Sequence, residues 1–370
     1  MNSKEFYNRQ ISLSEWFEKI DFENKEEFRK EDNEKRERLQ ILQDELGLPF
    51  DKPTKFKATD LRDSTEKLKN YLKEHKDELC ALRLIPLESD LSKIRMRGLS
   101  TKEAMKWFEE QDIEEEKYRA EFIPHSDNPI WSTIFIVNEN GVFGELIQGG
   151  HSQLTQGFYK NRDQKPISFF YDFEELEMER HSKAGLKHLQ KIIDYLYVED
   201  EDTKSKLRNK VNAEFVDDYL NGYFETISNE EYGLWFIDYN RVLGEIYEDY
   251  FFSQEELQQK SGGENNIYGK TGHPGEEQGT VKKVPPDKIE EVKVGEDDIL
   301  VCEMTTPEYV PLMKQAKAIV TDSGGLLCHA TIVARELDKP CIVGTNEATE
   351  KLEEGEKIKL NADRGLITYC

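Results

Sequence analysis

The chain has 370 residues and a formal net charge of −25, from 51 Lys and Arg against 76 Asp and Glu. That length suits two or three domains. The acidity argues against a nucleic-acid or anionic-membrane partner, since either needs a concentrated basic face. Hydrophobic residues make up 36% and charged residues 34%, polar but still globular, because 19 Phe, 16 Tyr and 4 Trp can build cores. The five cysteines are widely spaced and form no CxxC pair, which suits neither a disulfide framework nor a zinc site. The opening MNSKEFYNRQISLSEWFEKI has no apolar core segment, and nowhere do ~18 apolar residues run together. The chain is expected to be soluble and cytoplasmic.

Residues 1–75 read as a charged helical region. Within them NEKRERLQILQDELGLPF has apolar residues at helical spacing and stops at a Gly and a Pro, with its charged side expected to be solvated. From about residue 79 the pattern changes. LCALRLIPL is an apolar run with one Arg, STKEAMKWFEEQDIEEEKY is helical, and WSTIFIVNENGVFGELIQGG holds two β-rich runs around an Asn-Gly turn. A further helix at EMERHSKAGLKHLQKIIDYLY precedes a second hairpin, YFETISNEEYGLWFIDYNRV. Residues 76–252 thus predict an α+β domain on an antiparallel sheet. Residues 253–271 have the Gly, Asn, Ser and Gln content of a flexible linker. Beyond them, GTVKKV, DILVCEM, KAIVTD, KPCIVGT, EKIKLNA and GLITYC are short β segments, with helices at TPEYVPLMKQA and HATIVAREL. Residues 272–370 therefore predict a separate small α/β domain.

The segment TDSGGLLCHATIVARELDKPCIVGTNEA carries the most chemistry. A strand runs into Ser323-Gly324-Gly325, and a helix begins close to His329. The two glycines allow a tight turn, and the first helical turn offers unpaired amides that stabilise an anion. An imidazole there has a neutral nucleophilic nitrogen near pH 7, and Arg335 on the same helix could neutralise a phosphate. The segment resembles the phosphohistidine swivelling domain of the phosphoenolpyruvate-utilising enzymes. The resemblance runs from about Gly272 and includes GHPGEEQGTVKKV, MTTPEYVPLM, GG-x-x-C-H-A-x-I-V-A-R-E-L, KPCIVGT and NADRGLITY. It implies that His329 carries a phosphoryl group and that Gly324 and Gly325 form its phosphate loop. This chain departs from the family at Leu327, where a Thr or Ser is usual; Thr321, Ser323 or Thr331 could supply the hydroxyl instead.

The same resemblance implies a nucleotide-binding domain of the ATP-grasp type upstream. CALRLIP is similar to the strand whose Arg meets the phosphates, making Arg83 a candidate clamp. In the second hairpin the matching positions are Glu225 and Asp238 for magnesium, with Arg241 following; a hairpin can set the two carboxylates side by side. Glu145 resembles a further acidic nucleotide contact. His151, Ser152, Gln153 and Thr155 after Gly149-Gly150 could line a site, while Arg95 and Arg97 could meet phosphate or simply face solvent. The family's glycine-rich lobe and its lysine have no evident counterpart, and a (β/α)8 barrel needing ~250 residues has no room. The expected fold is an ATP-grasp-like antiparallel-sheet domain followed by a β/β/α-type swivelling domain. The expected function is a dikinase-like phosphotransferase using ATP and Mg2+, passing phosphate through His329 to a small molecule or protein. The alternative is a non-enzymatic phosphocarrier or regulatory subunit that needs a partner subunit.

Overall fold

The periodicities that mark the hairpins and the long helix fold as their patterns dictate, but tertiary contacts join them differently from the linear domain reading. The computed structural model describes residues 13–88, 91–126, 128–157, 165–250, 252, 257 and 266–370. The chain begins with α1 (Leu13–Ile20) and α2 (Lys25–Leu46), the latter closed by Gly47 in the left-handed region with its N–H on Gln43 O. Next come β1 (Thr54–Lys57), α3 (Ala58–Arg62), α4 (Glu66–His75), β2 (Leu79–Pro86) and β3 (Ile94–Ser100). A capping box between Ser100 and Glu103 starts α5 (Thr101–Glu109), and β4 (Tyr118–Pro124) follows. These strands make a four-stranded antiparallel sheet in the order β1-β4-β2-β3. The expected boundary at residue 76 is therefore corrected. The region read as charged helix supplies β1 as an edge strand, paired from Thr54↔Phe122 to Lys57↔Arg119.

A six-stranded antiparallel sheet faces it. Its strands are β5 (Trp131–Asn138), β6 (Gly141–Gln148), β7 (Ile167–Tyr171), β8 (Leu176–Met178), β11 (Gly222–Asn229) and β12 (Gly233–Asn240), ordered β12-β11-β5-β6-β7-β8. A short α6 (Ser152–Gln156) follows β6; α7 (Lys183–Leu196) and α8 (Glu201–Val211) cover one face; β9 (Phe215–Val216) and β10 (Tyr219–Leu220) pair alone; α9 (Arg241–Glu245) follows β12. Helix α2 and its exit bind the edge of this sheet. Arg36 donates to Ile237 O at 2.7 Å, and Phe236 N donates to Pro49 O at 2.8 Å. The charged face of α2 is consequently internal, with Glu31, Lys35, Arg36 and Arg38 all buried, and the solvated reading of this helix is overturned.

The C-terminal residues form one eight-stranded mixed sheet, ordered β13-β20-β19-β15-β16-β17-β18-β14. The strands are β13 (Asn266–Tyr268), β14 (Lys270–His273), β15 (Glu276–Lys283), β16 (Asp298–Cys302), β17 (Ala318–Thr321), β18 (Cys341–Val343), β19 (Lys357–Asn361) and β20 (Leu366–Tyr369). β15 to β18 run parallel, as the crossovers through α10 (Val310–Gln315) and α11 (His329–Glu336) require. Of the expected linker, most positions lie outside the described residues, and 266–268 and 270–271 are strand rather than linker. One apolar cluster spans α1, the six-stranded sheet and the C-terminal unit, joining Trp16, Phe17, Phe143, Tyr247, Leu312, Leu326 and Val333. The unit is thus seen docked. Among the described residues, no helix is long and apolar enough to cross a membrane, and all five cysteines are free.

Candidate active site in a cavity between the sheets

The four- and six-stranded sheets enclose a cavity that His329 enters from the C-terminal unit. Its lining combines Arg83, Arg95 and Arg97 from β2 and β3 with Glu225 and Asp238 from β11 and β12. Strand pleating explains the selection on β11, where Glu225, Ile227 and Asn229 share one face. A register shift after Glu225 keeps it opposite Asp238 while Ile227 meets Trp235. The two-strand floor therefore has a carboxylate rung beside an apolar rung. Helix α2 adds Asp32, Lys35 and Arg36 to the wall.

The charges are closely matched. Lys35 Nζ lies 2.8 Å from Asp238 Oδ2 and 3.2 Å from Asp32 Oδ1. Lys93 donates to Asp32 Oδ2 at 2.6 Å, and Arg36 to Asp51 Oδ2 at 2.6 Å. Burial pushes Lys93 down to about 7 and Asp51 up to about 6, in each case against the pull of its partner. Burial alone would raise Asp32, but Lys93 and Lys35 outweigh it and hold its carboxyl well below the usual range. Burial, then the neighbouring arginines, lowers Arg83 to about 10 and Arg97 to about 9. Such crowding of cations, with the buried Arg83 Nε left without a hydrogen-bond partner, suits an anionic ligand.

His329 opens α11 and is half-buried at the cavity wall, with Trp16 edge-on at 6.2 Å between ring centroids. Burial, with Arg95 and His151 adding their charge, lowers its ring to about 3. The imidazole is therefore neutral near pH 7 and keeps a nucleophilic nitrogen. Two of the three hydroxyls expected to replace the missing one at Leu327 are engaged elsewhere: Thr331 donates to Gly325 O, and Thr321 to Ser323 O. Leu327 itself is buried in the apolar cluster.

The carboxylate pair fits a magnesium ion. Glu225 and Asp238 are direct cross-strand neighbours, and among the described residues the buried Asp238 Oδ1 has no hydrogen-bond partner. Glu225 meanwhile accepts from Tyr223 OH at 2.6 Å and lies 3.2 Å from His151 Nε2.

Of the residues singled out from the sequence, the cavity brings together His329, Arg83, Glu225 and Asp238, with Arg95, Arg97, His151, Ser152 and Thr155. Others do not line it, Gln153 on α6 among them. Arg241 is bound outside by Glu31 at 2.8 Å and Glu27 at 3.2 Å, because α9 turns away after Asn240. Arg335 points from α11 to the rings of Tyr247 and Tyr250, 4.6 and 4.1 Å from their centroids. Glu145 is buried under the C-terminal unit, where it accepts from Leu326 N at 2.9 Å and Lys270 Nζ at 2.5 Å. Gly324 and Gly325 pack against the six-stranded unit and its following turn. A Cβ on Gly325 would fall 1.9 Å from Glu145 Oε2, and Gly324 lies against Gly157. Sequence reasoning missed Asp32, Lys35 and Arg36, whose only signal was a charged stripe on a helix that otherwise reads as solvated, and Asp51, which lies beyond the end of that helix.

Residues 294–365 match the family described as PEP-utilising enzyme, mobile domain. Over 137 residues the chain is 41% identical to a probable phosphoenolpyruvate synthase of Archaeoglobus fulgidus, covering 37% of this chain and 18% of that protein. It is 56% identical over 81 residues to the phosphoenolpyruvate synthase of Pyrococcus furiosus, covering 22% of this chain and 10% of that protein. An uncharacterized phosphotransferase of Bacillus subtilis, YvkC, is 44% identical over 105 residues, 28% of this chain and 12% of its own length. The chain thus spans less than a fifth of the length of these relatives. A solved L-amino acid ligase from Bacillus licheniformis superposes on 57% of this chain and 41% of its own at a TM-score of 0.27 with 12% identity, too weak to bear on the fold. The match to the mobile domain of the PEP-utilising enzymes falls within the C-terminal unit of this chain.

Proposed function

We propose that the chain is a dikinase-like phosphotransferase in which ATP, bound between the two sheets, phosphorylates His329. One observation carries this reading: the histidine of the mobile domain lines the same cavity as three arginines and a cross-strand carboxylate pair. Arg83, Arg95 and Arg97 hold the phosphates, the apolar rung of Ile227 and Trp235 takes the base, and Glu225 and Asp238 would hold Mg2+. When bound, that ion screens phosphate charge and fixes its orientation. The neutral ring nitrogen of His329 attacks phosphorus. An N–P bond forms as a P–O bond breaks, and the electron pair leaves on the departing phosphate oxygen. The arginines balance that charge as it develops. Phospho-His329 then delivers the group to an acceptor, a small molecule or a protein, after the mobile domain leaves the cavity.

The test is incubation with ATP labelled separately at its β and γ phosphates. Acid-labile, base-stable label that disappears in His329→Ala is expected, and its position separates dikinase from simple kinase chemistry. No label at any magnesium concentration would overturn the proposal.

A further inference from the structure

Both polar atoms of the Leu326 peptide, three residues before His329, are held by the six-stranded unit. Its N–H donates to Glu145 Oε2 at 2.9 Å, and its carbonyl accepts from Tyr247 OH at 3.2 Å. The other Glu145 oxygen accepts from Lys270, which opens β14 of the mobile domain and also donates to Ser168 Oγ at 2.7 Å. Glu145 is 2% exposed, so these contacts take place out of water. Burial tends to lower Lys270, but Glu145 and Glu179 outweigh it and raise it, which keeps its ammonium charged. A buried carboxylate needs such partners, and here both come from the unit that has to move.

We propose that Glu145 is the docking latch of the mobile domain: its carboxylate captures Leu326 N–H and Lys270, and so fixes His329 at the cavity. Ser168 sits opposite Glu145 on β7, so Lys270 enters a pocket formed by two adjacent strands. Gly325 lets its backbone pass against the carboxylate; a Cβ there would fall 1.9 Å from Glu145 Oε2 and push the carboxylate out of its place. Undocking exposes Glu145 and Lys270 to water together, so neither charge is stranded in an apolar site. Glu145 is a positioning residue in this account. It acts on His329 through the Leu326 peptide and does not touch the nucleotide.

The docking claim is independent of the phosphotransfer reading, whereas its kinetic arm rests on it. In the full chain, hydrogen exchange over residues 323–332 is expected to rise at least about tenfold in Glu145→Ala, the loss of a buried charge-assisted hydrogen bond. Protection of 222–240 and 298–321 should stay unchanged, which excludes misfolding. Glu145→Gln keeps an acceptor for Leu326 and should recover part of the protection. Gly325→Ala should loosen the same segment from the opposite side of the contact. The rate of His329 labelling from ATP should fall in proportion while the Kd for ATP stays the same. Unchanged exchange at 323–332 in Glu145→Ala would overturn the latch, as would lost ATP affinity with docking intact. Failure of the wild type to bind or transfer phosphate would remove the proposed function but leave the exchange result to decide the latch.

Discussion

Lys35 Nζ lies between Asp238 Oδ2 and Asp32 Oδ1, at 2.8 and 3.2 Å, occupying with an ammonium the position between carboxylates that a cation would favour. Removing it leaves the buried Asp238 without its ammonium partner, while Asp32 keeps Lys93 at 2.6 Å. Breaking a buried pair by deleting one partner costs roughly 3–5 kcal/mol. Lys35→Met should therefore lower Tm in metal-free buffer, and Mg2+ should restore much of the loss. Thermal denaturation with and without Mg2+ checks this. A drop in Tm that Mg2+ does not alter would show that the carboxylates hold no divalent ion.

Arg83 meets no hydrogen-bond partner through Nε although it is buried, which is costly unless a ligand completes it. Arg83→Met removes a clamp contact of about 1.5–3 kcal/mol, the range for hydrogen bonds to charged groups. ATP affinity should fall roughly 10- to 100-fold by that measure, and inorganic tripolyphosphate should lose the same factor. Calorimetric titration with both ligands decides it. An unchanged Kd would remove Arg83 from the phosphate site.

Asn229 separates base from phosphate binding. Its Oδ1 accepts from Tyr232 N at 2.6 Å, which directs the Nδ2 donor elsewhere, and that nitrogen is buried at the cavity wall without a partner. It follows the apolar rung of Ile227 and Trp235 along β11, four residues or ~13 Å from Glu225 at a rise of ~3.3 Å per residue. Asn229→Asp keeps the turn acceptor and removes the donor. ATP binding should weaken about tenfold, a hydrogen bond's worth, with tripolyphosphate unaffected. Equal weakening of both ligands would place the base elsewhere.

How much of this was legible in the sequence depends on which contacts are local. The hairpins 131–148 and 222–240 announce themselves through alternation and turn residues, and their register brings Glu225 opposite Asp238. Lys35 and Arg36 were not legible, because helical spacing with charge on several sides reads as solvated until β12 packs against it. Arg95 and Arg97 could not be told from surface arginines, since only the facing sheet makes them internal. Arg241 follows its hairpin closely in sequence, yet the turn into α9 carries it to Glu27 and Glu31 outside the cavity. Glu145 alternates like any strand residue, and only the packed C-terminal unit gives it Lys270 and Leu326 as partners.

Docking should respond to pH through His329. Docked, its ring is lowered to about 3 by burial, with Arg95 on β3 and His151 before α6 adding their charge and Trp16 edge-on beside it. Undocked, an imidazole titrates near ~6.5. Between those values the undocked state binds the extra proton. The stabilisation of the docked form is therefore fully present above ~6.5 and declines as pH falls toward 3. Lowering pH from about 7.5 to about 5.5 should cut the docking equilibrium constant about tenfold, since a free imidazole is then mostly protonated. His151 is itself lowered by burial and lies in the same cavity, so its proton uptake adds to the effect if undocking opens the cavity to water. Hydrogen exchange over 323–332, corrected for the intrinsic pH dependence of exchange, measures the change. In His329→Asn the dependence should flatten, and a slope that persists there would assign the proton to another group.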